Sequence, residues 1–473
     1  MLAALARPWT STGMKVLASL VAMSWVSVSQ AADAYSLEEP ATDVRVRDVT
    51  MQVTIDGKIA TSAGGGKSVS HDLDAQAAYR FRERRLTGAG RDAEAYRCVR
   101  EYDQASTRTK ISDELSTQSM PARMRVIVSH GQRSGMQRYC PTALMTRDAL
   151  ELIDVPGDPL AVLALLPSRR VEVGEEWEVE DWAAQMLSTV EATTESKMTA
   201  KLVSVEDETA RVEFSGTVKG ARLGALTNVK LSGHLLFDLT KQLVTSVDLT
   251  HSEEGAIGTI APGIDSDAHV VITRSLASGD GALTKAFAES IPLDPPGDRL
   301  PLEFDAGPWG LSLVHGRGWH VFHASYDSDP QVVILRLLDQ GTLVSQCNFS
   351  PVAKVAAGQT TPVEQYEASI RQSLGDQFGA IVARDRIPTQ DDRTIFRVTV
   401  EGKYTLPSGD ETKEVPMTWV YYLCADPSGR QVSFVFALEP EMRERLAGQD
   451  RQIVETLQFG PPVRQQASQR GAN

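Results

Sequence analysis

Apolar and polar residues alternate with a period of two through most of the stretch from Asp43 to Ser275. Val49-Thr50-Met51-Gln52-Val53-Thr54-Ile55 is one such run, and the Asp56-Gly57 behind it is a two-residue hairpin signal. Met198-Thr199-Ala200-Lys201-Leu202 is another, followed by an acidic turn at Glu206-Asp207-Glu208. Ala210, Val212 and Phe214 then share one face, with Arg211, Glu213 and Ser215 on the other. Val229, Leu231, Leu235 and Phe237 also share a face, and Asp238–Lys241 turns the chain into a strand over 242–249. Alternating runs joined by short turns predict an antiparallel meander with one face on a core and the other in water. One segment breaks the period. Asp158-Pro159 supplies an N-cap and an N1 proline, Leu160–Leu166 is apolar on every side, and Pro167 stops it. This predicts a short helix buried against the apolar face of a large sheet, open or partly closed.

Beyond Gly279 the pattern changes. Pro292, Pro295, Pro296 and Pro301 mark residues 279–302 as a linker. After it, strands are predicted at 310–314, 319–324, 332–338, 343–349, 394–400, 417–424 and 431–437. A helix is predicted from the capping box Thr361-Pro362-Val363-Glu364, with Val363, Tyr366, Ile370 and Leu374 as its buried stripe. Asp426-Pro427-Ser428-Gly429 is a hairpin turn, and Glu439–Leu457 is a helical stretch broken at Gly448. The fold class is α+β: an antiparallel β domain over 43–278, then an α/β domain over 303–459. Residues 460–473 carry no core and are expected to be disordered.

The first residues change the compartment. Arg7, Met14-Lys15, an apolar run from Val16 to Val28, and Ser29-Gln30-Ala31 form a signal peptide over 1–31, followed by a polar lead-in over 32–42. No later apolar run is long enough to span a bilayer. The mature chain is therefore expected in the periplasm or outside the cell, without a transmembrane segment. A net charge of -14 repels phosphate backbones and argues against nucleic-acid binding. Export favours oxidation of the four cysteines, which fall two in each half. That distribution favours Cys98–Cys140 and Cys347–Cys424 among the three possible pairings, each worth about 4 kcal/mol by chain entropy.

Two resemblances add to this reading. Gly318-Trp319-His320-Val321, the helix after Thr361, the late hairpin and Ile453-Val454-Glu455-Thr456-Leu457-Gln458-Phe459 resemble the PsbP-like α/β/α superfamily, which includes the periplasmic DcrB-type proteins. The resemblance covers about Glu303 to Phe459. It implies an α/β/α sandwich and a largely non-enzymatic accessory or interaction role. The segment Leu166–Trp177, with the meander through Gly233 to Asp238, is similar to exported bacterial β-domains of unknown function. Neither resemblance carries over a catalytic residue.

Other candidate chemistry reduces to structure. Gly64-Gly65-Gly66-Lys67-Ser68 lacks the first glycine of a phosphate loop and reads as a hairpin turn. His320 and His323, close to His315, would point to opposite faces of a strand and so not share a metal. Ser70-His71-Asp72 is contiguous, which is not how triads assemble. Asp265-Ser266-Asp267 and Asp327-Ser328-Asp329 lack the glycine and distal glutamate of a calcium loop and read as solvated turns. Trp177 and Trp182 flank four residues, three of them acidic, at a core edge or a pocket mouth. Together these readings describe an exported, non-catalytic binding or scaffold protein of the bacterial envelope. It has no cofactor or metal, and its partner is an unidentified envelope protein. One alternative is a periplasmic carrier of an apolar ligand, a lipid or lipoprotein acyl chain, held at Leu160, Leu163, Leu166, Trp177 and Trp182. The other is a cryptic hydrolase.

Overall fold

A computed structural model describes residues 33–461 except 41, 65–66, 89–91, 390 and 409–410. The expected signal peptide and most of the expected tail lie outside the described residues. The meander is present as a twelve-stranded sheet. Its strands are β1 (Val46–Gly64), β2 (Lys67–Leu86), β3 (Arg97–Ile111), β4 (Glu114–Ser119), β5 (Val126–Gln132), β6 (Gly135–Tyr139), β7 (Glu176–Glu178), β8 (Ala192–Glu206), β9 (Thr209–Arg222), β10 (Ala225–Asp238), β11 (Leu243–Gly255) and β12 (Gly263–Leu276). They lie in the order β7-β8-β9-β10-β11-β12-β1-β2-β3-β5-β6, with β4 paired to β3, and the two ends are not joined. Every pairing is antiparallel.

The inner face of this sheet packs on α1 (Arg147–Leu152), α2 (Pro159–Val162) and α3 (Asp181–Ser188) in one continuous core. The expected helix after Asp158 forms in part: it is α-helical over Pro159–Val162 and tightens to a 3-10 turn over Leu163–Leu165. Asp158 caps it by accepting from Leu160 N, and Leu160, Ala161 and Val162 are fully buried. The Asp56-Gly57 turn does not form. Both residues lie inside β1, and β1 runs on to Gly64 before β2 begins at Lys67. Gly57 is there for close approach instead: a Cβ on it would sit 2.4 Å from the Asp265 carbonyl oxygen of β12. Asp265-Ser266-Asp267 is likewise strand, not turn, because it lies within β12.

The 279–302 stretch lies on the outer face of the sheet. It contains α4 (Lys285–Ser290), capped by Thr284, and its Leu283 is fully buried with Val46, Leu86, Val99, Val128 and Tyr139. Arg84 pairs with Asp280 at 2.6 Å, and Arg97 donates to the Pro292 carbonyl. The outer face is therefore not wet at this end.

The later strands are β13 (Leu302–Ala306), β14 (Leu311–His315), β15 (Trp319–Ser325), β16 (Val332–Asp339), β17 (Thr342–Val352), β18 (Phe378–Ile387), β19 (Thr394–Ser408), β20 (Glu411–Ala425) and β21 (Gln431–Leu438). Seven of them form an antiparallel sheet in the order β15-β16-β17-β21-β20-β19-β18. One face packs on α5 (Val363–Leu374) through Tyr366, Ile370 and Leu374. The other packs on β13, β14, α6 (Arg443–Leu446) and α7 (Gln449–Glu455). The expected capping box is not made: Pro362 is the N-cap residue of α5, and Thr361 N donates to the Gln431 side chain instead. The break at Gly448 is present, with φ of 77° between α6 and α7. β13 also pairs in parallel with Met145–Thr146, so the earlier half of the chain contributes a strand to the small sheet of the later half.

The disulfide expectation is corrected. All four cysteines are buried and free. Cys347 is on β17 and Cys424 on β20, with β21 between them; Cys98 is on β3 and Cys140 directly follows β6, with β5 between them. Two strand spacings are about 10 Å, beyond the roughly 7 Å between Cα atoms that a disulfide spans. Burial pushes the Cys98, Cys347 and Cys424 thiols well up, so the native protein should react slowly. Alkylation in denaturant without reductant is expected to add four labels per chain by intact mass. Two or none would restore the disulfides.

Candidate functional site

A cleft of about 1060 Å³ opens where the β7 edge of the large sheet meets the segment after α2. One wall is Ala164 to Arg169, and the facing wall is Trp177 to Trp182 with Gln185. The chain places these walls by two local devices. Pro167 ends the buried helix and sends Ser168 and Arg169 to the surface, and the Trp177 Nε1 donates to the Leu165 carbonyl at 2.9 Å, tying the walls together. The Trp182 ring lies 5.4 Å from Tyr96, which is half-buried with the Arg85 guanidinium 5.6 Å from its ring centre. Burial raises the Tyr96 hydroxyl above its ordinary value of 10.0.

The rim is acidic. Asp92, Glu94, Glu178, Glu180, Asp181 and Glu195 line it against Arg133 and Arg169. Both arginines are already paired, Arg133 with Asp92 and Arg169 with Glu175, and Glu195 is held by Lys197 and Lys219, whose hydrogen bonds bring it down to about 2. Glu94, Glu178 and Glu180 have no ion pair among the described residues. Asp181 has none either and accepts from the Ser196 hydroxyl, so the cleft presents four carboxylates without an ion pair beside three half-buried aromatic rings, a surface that favours cations and their apolar stems.

Of the residues singled out in the sequence, Leu166, Trp177 and Trp182 line this cleft, together with Leu165. Leu160 and Leu163 do not: they are 0% and 4% exposed in the core between sheet and helix. The space against Pro159 is only about 10 Å³, on the order of a single water and far too small for an acyl chain. Asp92, Glu94 and Thr193–Ser196 escaped the sequence reading because they reach the cleft from the turn before β3 and from β8, far apart in the chain, and carry no local motif.

The core below is polar at one end. Arg274, Arg47, Glu83, Arg100 and Arg138 come from five strands and all point inward. Arg100 grips Asp158 with two bonds of 2.7 and 2.8 Å and donates to Glu83 at 2.9 Å. Arg138 reaches Asp158 at 3.0 Å and Asp154 at 2.7 Å. Arg274 joins Glu83 to Glu39, and Arg47 joins Glu39 to Asp43. Burial alone would raise Glu83 and Asp158, but the facing arginines outweigh it, and both carboxyls lie below their ordinary values.

The remaining candidates are dispersed. A bulge between Val321 and His323 sets His320 opposite Arg336 and His323 opposite Ile334, so these two histidines share a face, contrary to expectation. His315 is buried with its Nδ1 against the Gly316 carbonyl. Among the described residues no three His, Cys, Asp or Glu side chains are grouped to hold a metal. His71 touches Thr61 and Ser112, while Ser70 and Asp72 are exposed neighbours on β2. Gly64 and Lys67 close the β1–β2 hairpin; Gly65 and Gly66 lie outside the described residues. No described helix is long and apolar enough to cross a membrane.

No family model matches the chain, and no curated protein matches it. A lipovitellin structure aligns with 50% of this chain at 7% identity and a TM-score of 0.28, and the match spans 26% of the lipovitellin chain. The cyanobacterial PsbP (CyanoP) of Synechocystis sp. PCC 6803 aligns with 34% of this chain and 92% of its own, at 13% identity and a TM-score of 0.24. The MucA/MucB complex of Pseudomonas aeruginosa covers 88% of this chain and 94% of its own, at 10% identity and a TM-score of 0.16. These scores fall below the level at which two folds are the same.

Proposed function

We propose that the chain is an exported, non-catalytic binding protein of the bacterial envelope, and that its cleft at Trp177 and Trp182 takes a basic, partly apolar peptide segment of a partner protein. One observation carries this reading: uncompensated Glu94, Glu178 and Glu180 stand beside the aromatic trio Tyr96, Trp177 and Trp182 in an open cleft of about 1060 Å³. Aromatic anchors ringed by charge are the usual makings of a recognition hot spot. The two halves are read as two domains, the second of PsbP-like type, supported by the layering of α5, the seven-stranded sheet and α6–α7. The carrier reading has less support, because the side of the α2 segment that faces the sheet is filled.

Trp182→Ala removes an anchor of the cleft without touching the buried charged row. Titration calorimetry with a short peptide of lysine and leucine is expected to give at least about tenfold weaker binding for this variant than for the parent. Equal affinity would refute the site. Tighter binding to phospholipid vesicles than to the peptide would return the carrier reading.

A further inference from the structure

A second, unrelated space of about 370 Å³ lies in the later half, between the β19–β20 face and α6–α7. That volume is within the range of roughly 300–1,000 Å³ typical of small-molecule sites. On this face Arg397 stands opposite Tyr422 and Thr399 opposite Val420. The alternate residues Val398 and Leu423 belong to the opposite core with α5.

Two groups lining the space lack partners. Thr399 is 8% exposed, and its Oγ1 has no hydrogen-bond partner among the described residues. The buried Nε of Arg397 has none either, and no ion pair holds its guanidinium among the described residues. The other two arginines of the lining are already engaged, Arg443 by Glu401 and Thr418, and Arg451 by Glu455. A buried donor left unmet is costly, so such a pair calls for an acceptor from outside. A guanidinium beside a hydroxyl suits a carboxylate.

A bare anion does not suit the whole space. Asp450 also lines it, is 5% exposed, accepts from the Tyr422 hydroxyl at 2.6 Å, and has no ion pair among the described residues. Its charge repels an anion unless the same ligand brings a cation to it. The rest of the lining includes Val420 and Leu446, which are apolar.

We propose that this space binds a free aliphatic α-amino acid, its carboxylate on Arg397 and Thr399, its ammonium facing Asp450, and its side chain against Val420 and Leu446. The ligand's two charges meet the two unpaired charges of the lining, and the aliphatic body covers the apolar wall.

The test is titration calorimetry of the full chain with L-leucine, isovalerate, isopentylamine and inorganic phosphate. L-leucine is expected to bind, and the three partial probes at least about tenfold more weakly, since each satisfies one end of the site or neither. Arg397→Met is expected to abolish leucine binding. Leu446→Trp, which fills the space while keeping both polar ends, is expected to do the same, with folding of each variant checked by circular dichroism. No heat with leucine, binding of isovalerate as tight as leucine, or unaltered binding in a folded Leu446→Trp protein would each overturn the proposal.

Discussion

Replacing Asp158 by alanine is expected to destabilise the earlier half of the chain by about 3–5 kcal/mol, the cost of removing one partner from a buried ion pair. Asp158 has two jobs: it caps α2, and its carboxylate sits between Arg100 and Arg138 with a side chain 2% exposed. The cap alone is worth about 1 kcal/mol. Asp158→Asn separates the two jobs, because an asparagine oxygen can still accept from Leu160 N but leaves both arginines buried beside a neutral group. Urea unfolding followed by tryptophan fluorescence should therefore show Asn nearly as damaging as Ala. If Asn behaves like the parent, the charged row contributes little and capping is the main role of Asp158.

The second large effect is acid lability. His315 is 1% exposed, and burial lowers it from 6.5 to about 4. His320 is brought to about 3 by burial and by Arg147, and His251 is lowered by burial. Each is neutral in the fold and takes a proton more readily once unfolded. Their contribution is complete above the ordinary value of 6.5 and is lost as pH falls through the window down to the folded values. For His315 alone the loss is on the order of 3 kcal/mol. Asp158 and Glu83, held below their ordinary values of 3.8 and 4.5, add a second loss at still lower pH, with the same sign. The urea midpoint should therefore fall steadily from pH 7.5 to pH 4.5, and His315→Gln should flatten part of that slope. A midpoint constant over this range would contradict the burial of the histidines.

The meander was readable from the sequence because alternation is local: the turns between β8 and β9 and between β10 and β11 fall where the pattern predicts them. What escaped depends on neighbours distant in the chain. Arg47, Glu83 and Arg100 sit at inward positions of β1, β2 and β3, while Val46 and Val99 point outward under Leu283. Alternation alone assigns the two faces the other way, because the charged row is affordable only when five strands and the Asp158 segment meet. The cysteine pairing failed for a related reason, since sequence spacing does not reveal that β5 and β21 intervene. In the cleft, Leu166, Trp177 and Trp182 were legible as large apolar residues beside acids. Glu94, on the turn before β3, and Thr193–Ser196, on β8, are brought to the cleft from distant parts of the chain, which only the fold supplies.

Binding of a cationic segment in the acidic, aromatic cleft is measured most directly by calorimetric titration of the lysine-leucine peptide into the parent and into Glu178→Lys/Glu180→Lys, at low and at high salt. Both positions are exposed and unpaired, so the reversal should leave the fold intact. The parent is expected to bind and to weaken with salt, and the reversed variant to bind at least about tenfold more weakly at low salt. Equal binding by the two proteins, or binding by the parent that does not change with salt, would contradict this role of the cleft.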